Sequence, residues 1–322
     1  MNDSKTRQLG IIMDPIQDIN IKKDSSFAML LEAQQRGWKI HYMEPADLRL
    51  QEGKPRGRFR TLQLQDNPDG WHTFGEAGDI SLTELDVILM RKDPPFDMEY
   101  IYCTYLLELA QQQESSVLVV NRPDSLRDCN EKLFTAWFPQ CCAPTLVSRR
   151  IEDLRQFLGQ HGHIVIKPLD GMGGQSVFVL QQGDDNSNVI FETLTHHGQR
   201  LAMAQQYIPE IVQGDKRILL IDGEPLPYAL ARVPGKHDHR GNLAAGAHAK
   251  GIALSDRDRW ICAQLGSELR RRGLLFVGLD IIGDWLTEIN VTSPTGIREL
   301  DALYDLNISA RLFDAIERCL NQ

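Results

Sequence analysis

The spacing of hydrophobic residues changes several times along this chain, and each change marks an element. Residues 9–13 form a short apolar run closed by Asp14-Pro15, as in a buried strand. Ser25 is placed to cap a helix in which Phe27, Leu30 and Leu31 recur at helical spacing up to Gly37, and residues 39–43 return to strand. This βαβ opening continues with a hairpin over 47–65 around Gly53-Lys54-Pro55, a buried strand over 87–90, a helix over 98–112 and a strand over 117–121. Residues 1–125 are expected to form an α/β layer.

From Pro123 the pattern turns to helices and hairpins. Asn130 is placed to cap a helix over 131–138, followed by a strand near 145–148 and helices over 151–158 and 188–197, the last ending in His196-His197 before Gly198. A strand over 202–207 is expected to cross into a third lobe. That lobe has a hairpin over 217–231 turning at Asp222-Gly223, a long helix over 256–272, a second hairpin and a terminal helix. The expected division is 1–125, 126–201 and 202–322, with no internal repeat.

The second hairpin carries chemistry. Glu288 and Asn290 are two apart on a strand, so both side chains point to one face, with Asp280 on the strand before. Oxygen donors without His or Cys suit magnesium or manganese rather than zinc, and magnesium commonly bridges carboxylates to phosphates. Convergence depends on register. A two-residue turn at Gly283-Asp284 sets Asp280 opposite Thr287, whereas a three-residue loop, 283–285, sets it opposite Glu288, so the metal reading requires the longer, bulged connection. The alternative is an acidic hairpin in solvent.

Residues 163–180 read as strand, glycine-rich turn and strand. Gly171, Gly173 and Gly174 let backbone N–H groups approach an anion, and Lys167 adds a positive charge at the strand end. The Gly-Lys-Ser/Thr ending of a Walker loop is missing, and the competing reading is an ordinary hairpin turn. The small-residue stretch 234–251 has the length of a lid, with Arg240 and Asn242 available to anions on closure; a passive linker is the alternative.

Composition narrows the class. The 322 residues suffice for two or three domains, and 42% hydrophobic with 25% charged residues is ordinary for a globular protein. A net charge of −9 without a basic stripe argues against nucleic acid. Neither a signal peptide nor a membrane-length apolar run is visible, so a cytoplasmic protein without membrane attachment is expected. Six cysteines, Cys141-Cys142 among them, lack metal or redox spacing and read as structural thiols.

Taken together, Lys132 in Asn-Glu-Lys-Leu, Lys167 in Ile-Lys-Pro, the 171–174 loop, Gln205-Gln206-Tyr207-Ile208, Arg217, Arg232 and Asp280/Glu288/Asn290 resemble an ATP-grasp ligase. Met13-Asp14-Pro15, 22–26, 90–97, 240–246 and 290–295 are similar, more narrowly, to the bacterial glutathione synthetase family. The resemblance implies an ATP-grasp fold, α/β and α+β, behind an N-terminal Rossmann-like layer. It also implies ATP-dependent joining of γ-glutamylcysteine and glycine through an acyl phosphate, with magnesium (or manganese), in a homotetramer.

By that resemblance Lys132 and Lys167 hold the inner phosphates, while Arg217 and Arg232 stabilise the transferring phosphate and the tetrahedral adduct. Residues 205–208 hold adenine, Asp215 meets ribose, and Asp280, Glu288 and Asn290 bind the metal. Lys22, Asp24, Ser25, Ser26, Arg91, Arg240, Asn242, Ser293, Thr295 and Arg298 face the peptide and glycine. The chain departs from the family after Ala245-Gly246, where Ala247-His248-Ala249-Lys250-Gly251 replaces a glycine- and arginine-containing run. Two rival readings share most of these residues: an ATP-grasp ligase for D-alanine or peptide glutamate, and a nucleotide-binding regulator without catalysis.

Overall fold

A computed structural model describes residues 6–233 and 248–321. In the N-terminal layer, β1 (Gln8–Ile12), α1 (Ser25–Gln35) and β2 (Lys39–Met43) form the expected βαβ unit, β1 and β2 running parallel. Asp24, not Ser25, caps α1: its carboxylate accepts from the Phe27 N–H at 2.6 Å, and Ser25 is the first helical residue. The hairpin β3 (Leu48–Gln51) and β4 (Lys54–Leu64) turns at Glu52-Gly53, so Pro55 lies inside β4.

A long strand the sequence pattern missed, β5 (His72–Ser81), pairs with β4. It is largely exposed and therefore lacks an apolar alternation to read. β6 (Val87–Met90), α2 (Met98–Gln113) and β7 (Leu118–Val120) complete a sheet of order β3-β4-β2-β1-β6-β7. Beyond it, the short α3 (Pro123–Asp128) also escaped the pattern.

The second sheet is antiparallel, ordered β10-β9-β11-β8. It comprises β8 (Thr145–Ser148), β9 (His163–Pro168), β10 (Phe178–Gln181) and β11 (Ala202–Gln206), with α4 (Ile151–His161) and α5 (Ser187–Leu194) between strands. Leu154, Phe157 and Leu158 of α4 and Phe191 of α5 bury one face against Ile164, Ile166 and Leu180. β11 was expected to open the third lobe, but it pairs with both β9 and β8 and belongs to this sheet. The lobe boundary therefore falls after Gln206 rather than after residue 201.

The third sheet contains β12 (Asp215–Ile221), β13 (Glu224–Pro225), β14 (Tyr228–Val233), β15 (His248–Ala253), β16 (Phe276–Ile282) and β17 (Trp285–Asn290), all antiparallel. α6 (Asp256–Arg271) packs Ile261, Leu265 and Leu269 into the same core as this sheet. The segment expected to form a lid, 234–251, ends in strand: residues 249–251 pair with 230–232 of β14. The N-terminal and C-terminal parts share cores. α7 (Ile297–Tyr304) and α8 (Ile308–Leu320) return to the first layer, where Phe313 meets Trp38 edge-on at 5.0 Å. The Asn121 side chain donates to the carbonyls of Phe276 (2.7 Å) and Val291 (2.8 Å) and accepts from the Phe276 N–H, joining the end of β7 to the third sheet.

Candidate active site

The β16–β17 hairpin decides whether the acidic residues meet. Ile282 faces Trp285 across a two-residue turn, yet Asp280 stands opposite Glu288 and Gly278 opposite Asn290. The longer loop inferred from the sequence is therefore absent, and the register is restored by one extra residue, Thr287, in a β-bulge. Thr287 is buried and its Oγ1 donates to the Asp280 carbonyl at 3.0 Å, which fixes the bulge. A ladder without it would turn Glu288 and Asn290 to the opposite face.

Two arginines close on Asp280. Arg217 stands opposite it across β12 and β16 and binds both carboxylate oxygens, with Nη2–Oδ2 at 3.0 Å. Arg232 reaches Asp280 at 2.9 Å and Asp215 with the same nitrogen. Burial acts to raise the Asp280 pKa, but the two guanidiniums overcome it and hold the carboxyl well below the usual range. Burial, aided by the charges of Asp280 and Glu288, pushes Asp215 up to about 7 despite Arg232. Asp215, expected beside a ribose, lines the cavity and is paired with Arg232 in this structure.

The lysines differ in their surroundings. The helix expected over 131–138 is a 3-10 turn, Leu133–Trp137, started by the Asn130 side chain accepting from the N–H groups of Lys132 (3.1 Å) and Leu133 (2.9 Å). That turn buries Lys132, whose Nζ meets Glu131, the Gly171 carbonyl at 2.5 Å and Glu288 at 3.5 Å. Burial opposes its charge, but Glu288 and Glu131 more than restore it. Lys167, at the end of β9, is buried with, among the described residues, only the Thr287 carbonyl at 3.5 Å and Glu288 at 3.9 Å near its Nζ, and burial lowers its pKa. Glu131 was missed. Its carbonyl accepts from the Ile289 N–H at 2.8 Å, so it ties the Lys132 turn to the acidic hairpin, and adjacency to Lys132 was its only sequence signal.

These groups line one cavity of about 460 Å³ with the glycine loop, residues 205–208 and the 293–295 turn. Its volume suits a small-molecule ligand. Gly173 and Gly174 have φ of 65° and 76°, conformations that a side chain would strain. The N–H groups of Gln206 and Tyr207 are spent on the carbonyls of Pro144 and His163, and the Gln205 side chain donates to Thr145 Oγ1. The Ile208 N–H enters no hydrogen bond among the described residues.

Several expected substrate residues lie elsewhere. Arg91 is buried behind the 293–295 turn, donating to Ser26 Oγ and the Pro294 carbonyl, both at 3.0 Å. Ser25 Oγ accepts from the Ile297 N–H at 3.2 Å, and Asp24 is the helix cap. None of these four lines the cavity. Lys22 and Arg298 border a separate, more open cavity beside α1 and α8, where Arg298 pairs with Asp66. Ser293 and Thr295 do line the main cavity. Arg240 and Asn242 lie outside the described residues.

The donor set fits a hard divalent cation. Asp280, Glu288 and Asn290 offer only oxygen as ligand atoms on one face, and among the described residues Glu288 is engaged by lysines only at 3.5 Å and beyond.

The model of the prokaryotic glutathione synthetase ATP-grasp domain matches residues 131–305, and that of the N-terminal domain of the same family matches 8–127. The chain belongs to the prokaryotic glutathione synthetase family. The glutathione synthetase of Vibrio cholerae is 58% identical over 313 residues, covering 97% of this chain and 98% of the relative. That of Pseudomonas putida is 60% identical with the same coverage. Among solved structures, D-cycloserine synthetase superposes with a TM-score of 0.67 at 14% identity, covering 97% of this chain and 99% of its own. D-alanyl-alanine synthetase A from Vibrio cholerae gives 0.62 at 12%, covering 98% of both. At those identities the likeness shows the ATP-grasp fold alone. No described helix is long and apolar enough to cross a membrane.

Proposed function

We propose that this member of the glutathione synthetase family joins γ-glutamylcysteine to glycine, consuming ATP and releasing ADP and phosphate. The observation that carries the reading is the meeting of Arg217, Arg232 and Asp280 with Lys132, Lys167 and Glu288 on one nucleotide-sized cavity, in a chain about 58–60% identical to glutathione synthetases over nearly its whole length.

A carboxylate is a poor electrophile. In the first step the cysteinyl carboxylate oxygen attacks the γ-phosphorus of ATP and the bond to ADP breaks. The glycine amine then attacks the acyl carbon, phosphate leaves with the carbon–oxygen bonding pair, and the amine gives up its proton. The protein's task is to position the reactants and neutralise charge. Lys132 and Lys167 serve the inner phosphates. Arg217 and Arg232 present planar forks to the transferring phosphoryl group and to the oxyanion of the adduct, already oriented by Asp280. Asp280, Glu288 and Asn290 would hold magnesium (or manganese), which when bound offsets charge on the phosphate oxygens. The Ile208 N–H, without a partner among the described residues, serves adenine, and Ser293 and Thr295 the amino-acid end.

A homotetramer goes with the family resemblance, and light scattering on the purified protein checks it. α2 buries Tyr100 and Leu107 but leaves Met98, Tyr102 and Tyr105 about half exposed. A cytoplasmic location accords with six unbridged cysteines.

The test measures phosphate release with ATP, magnesium and glycine, with and without γ-glutamylcysteine, and with D-alanine as control. Release that requires both dipeptide and glycine is expected. Release driven by D-alanine alone, or tight ATP binding without turnover, would sink the reading.

A further inference from the structure

Lys132 is held by more carboxylates than a phosphate-binding lysine needs. It is 3% exposed, and its Nζ meets the Glu131 carboxylate, the Gly171 carbonyl at 2.5 Å and Glu288 Oε1 at 3.5 Å. A buried ammonium requires a counter-charge, because burial removes the water that would otherwise stabilise it. One of its two carboxylates is contested. Glu288 also joins Asp280 and Asn290 in the oxygen donor set of the β16–β17 hairpin, and the oxygen that faces Lys132 is the one that faces Lys167 at 3.9 Å. A lone pair given to a lysine is not available to a cation, so the two uses of Glu288 compete.

Glu131 is anchored where that competition is settled. Its carbonyl accepts from the Ile289 N–H at 2.8 Å, so its main chain is fixed to the strand that carries Glu288 and Asn290. The preceding Asn130 accepts from the N–H groups of Lys132 and Leu133 and donates to the Leu169 carbonyl at 3.0 Å, which holds the same turn beside the glycine loop. Glu131 lines the main cavity, and its carboxylate pairs with no cation other than Lys132 among the described residues. Burial and the charge of Glu288 push the Glu131 carboxyl up while Lys132 pulls it down, so the two adjacent charges sustain each other.

We infer that Glu131 is a positioning residue: it keeps Lys132 as its own counter-ion and thereby frees Glu288 for the divalent cation. Without the Glu131 charge, Glu288 is the one carboxylate left to Lys132 among the described residues, and the donor set loses an oxygen. The inference rests on the metal reading of the hairpin and adds the reason an acidic residue stands next to the phosphate lysine.

The test measures manganese binding to the nucleotide-free protein, read from the loss of the free-ion electron paramagnetic signal, beside the magnesium concentration that gives half-maximal phosphate release. Glu131→Gln removes the charge and keeps the main-chain bond to Ile289. It is expected to weaken manganese binding by about 10- to 100-fold, the range for a group that supports a metal ligand from behind, and to raise the magnesium requirement. Lys132→Met separates this route from a direct one. In that background Glu131→Gln is expected to change manganese binding by less than about twofold, because no lysine remains to claim Glu288. An equal loss in both backgrounds means that Glu131 acts on the cation directly and overturns the inference. Unchanged manganese binding in Glu131→Gln, with only a lower unfolding temperature, overturns it as well. Should Glu131→Gln alone not fold, the double variant, which removes both charges of the pair, carries the comparison with Lys132→Met. Absence of manganese binding in wild type removes the inference together with the metal reading, whereas absence of phosphate release alone removes the ligase reading and leaves the manganese comparison standing.

Discussion

The C-terminal sheet and the N-terminal layer place similar polar residues near the cavity and use them in opposite ways. On β12, β14 and β16, Arg217, Arg232, Asp215 and Asp280 are one another's partners, facing a space where a ligand can compete for them. In the N-terminal layer Asp24, Ser25, Ser26 and Arg91 are bonded to backbone groups or to each other, and they hold the wall formed by α1, Pro294 and α7. Charges that answer mainly other charges remain available to substrate. Groups that answer buried backbone are committed, because releasing them would strand a donor or acceptor.

The largest expected effect comes from Glu288→Gln. Phosphate release with both substrates should fall by about 100-fold or more, in the range for removing a charge-stabilising group from an active site. Thermal unfolding should hardly move, since the carboxylate's contacts in the fold are long. A nearly wild-type rate would remove the metal assignment. Arg232→Ala should lower kcat by about 10- to 100-fold and change ATP affinity less, and it should also lower the unfolding midpoint because Asp215 and Asp280 lose a buried partner. Weaker ATP binding with unchanged kcat would place Arg232 with the nucleotide instead of the adduct. The smallest effect is expected from Asp24→Ala, a loss of about 1 kcal/mol from α1 with kcat preserved. A raised peptide KM at unchanged stability would break the comparison by moving Asp24 into the site.

Where the sequence pattern succeeded, the physics was local. The strands 87–90 and 117–121 carry the continuous apolar runs 87–90 and 117–120, and the helix over 256–272 carries Ser255 as cap with Asp258 completing a capping box. Strand β5 escaped because both its faces are largely wet, and β11 was assigned to the wrong lobe because its pairing partners, β8 and β9, cannot be read from its own residues. The lysines, arginines and acidic residues of the cleft were legible as residue types in a familiar arrangement. Glu131 was not, since its importance lies in what it touches.

The sequence by itself determined the strand and helix periods, the glycines that permit a tight loop, the oxygen-only donor set and the family. Each depends on residue type and spacing within a few positions. Only the tertiary structure decided that Thr287 bulges and brings Glu288 opposite Asp280, that Asp215 turns to Arg232, and that Ser25 and Arg91 brace a wall. Those outcomes depend on cross-strand register and on which buried polar group finds its partner first in space, and segments far apart in the chain settle both.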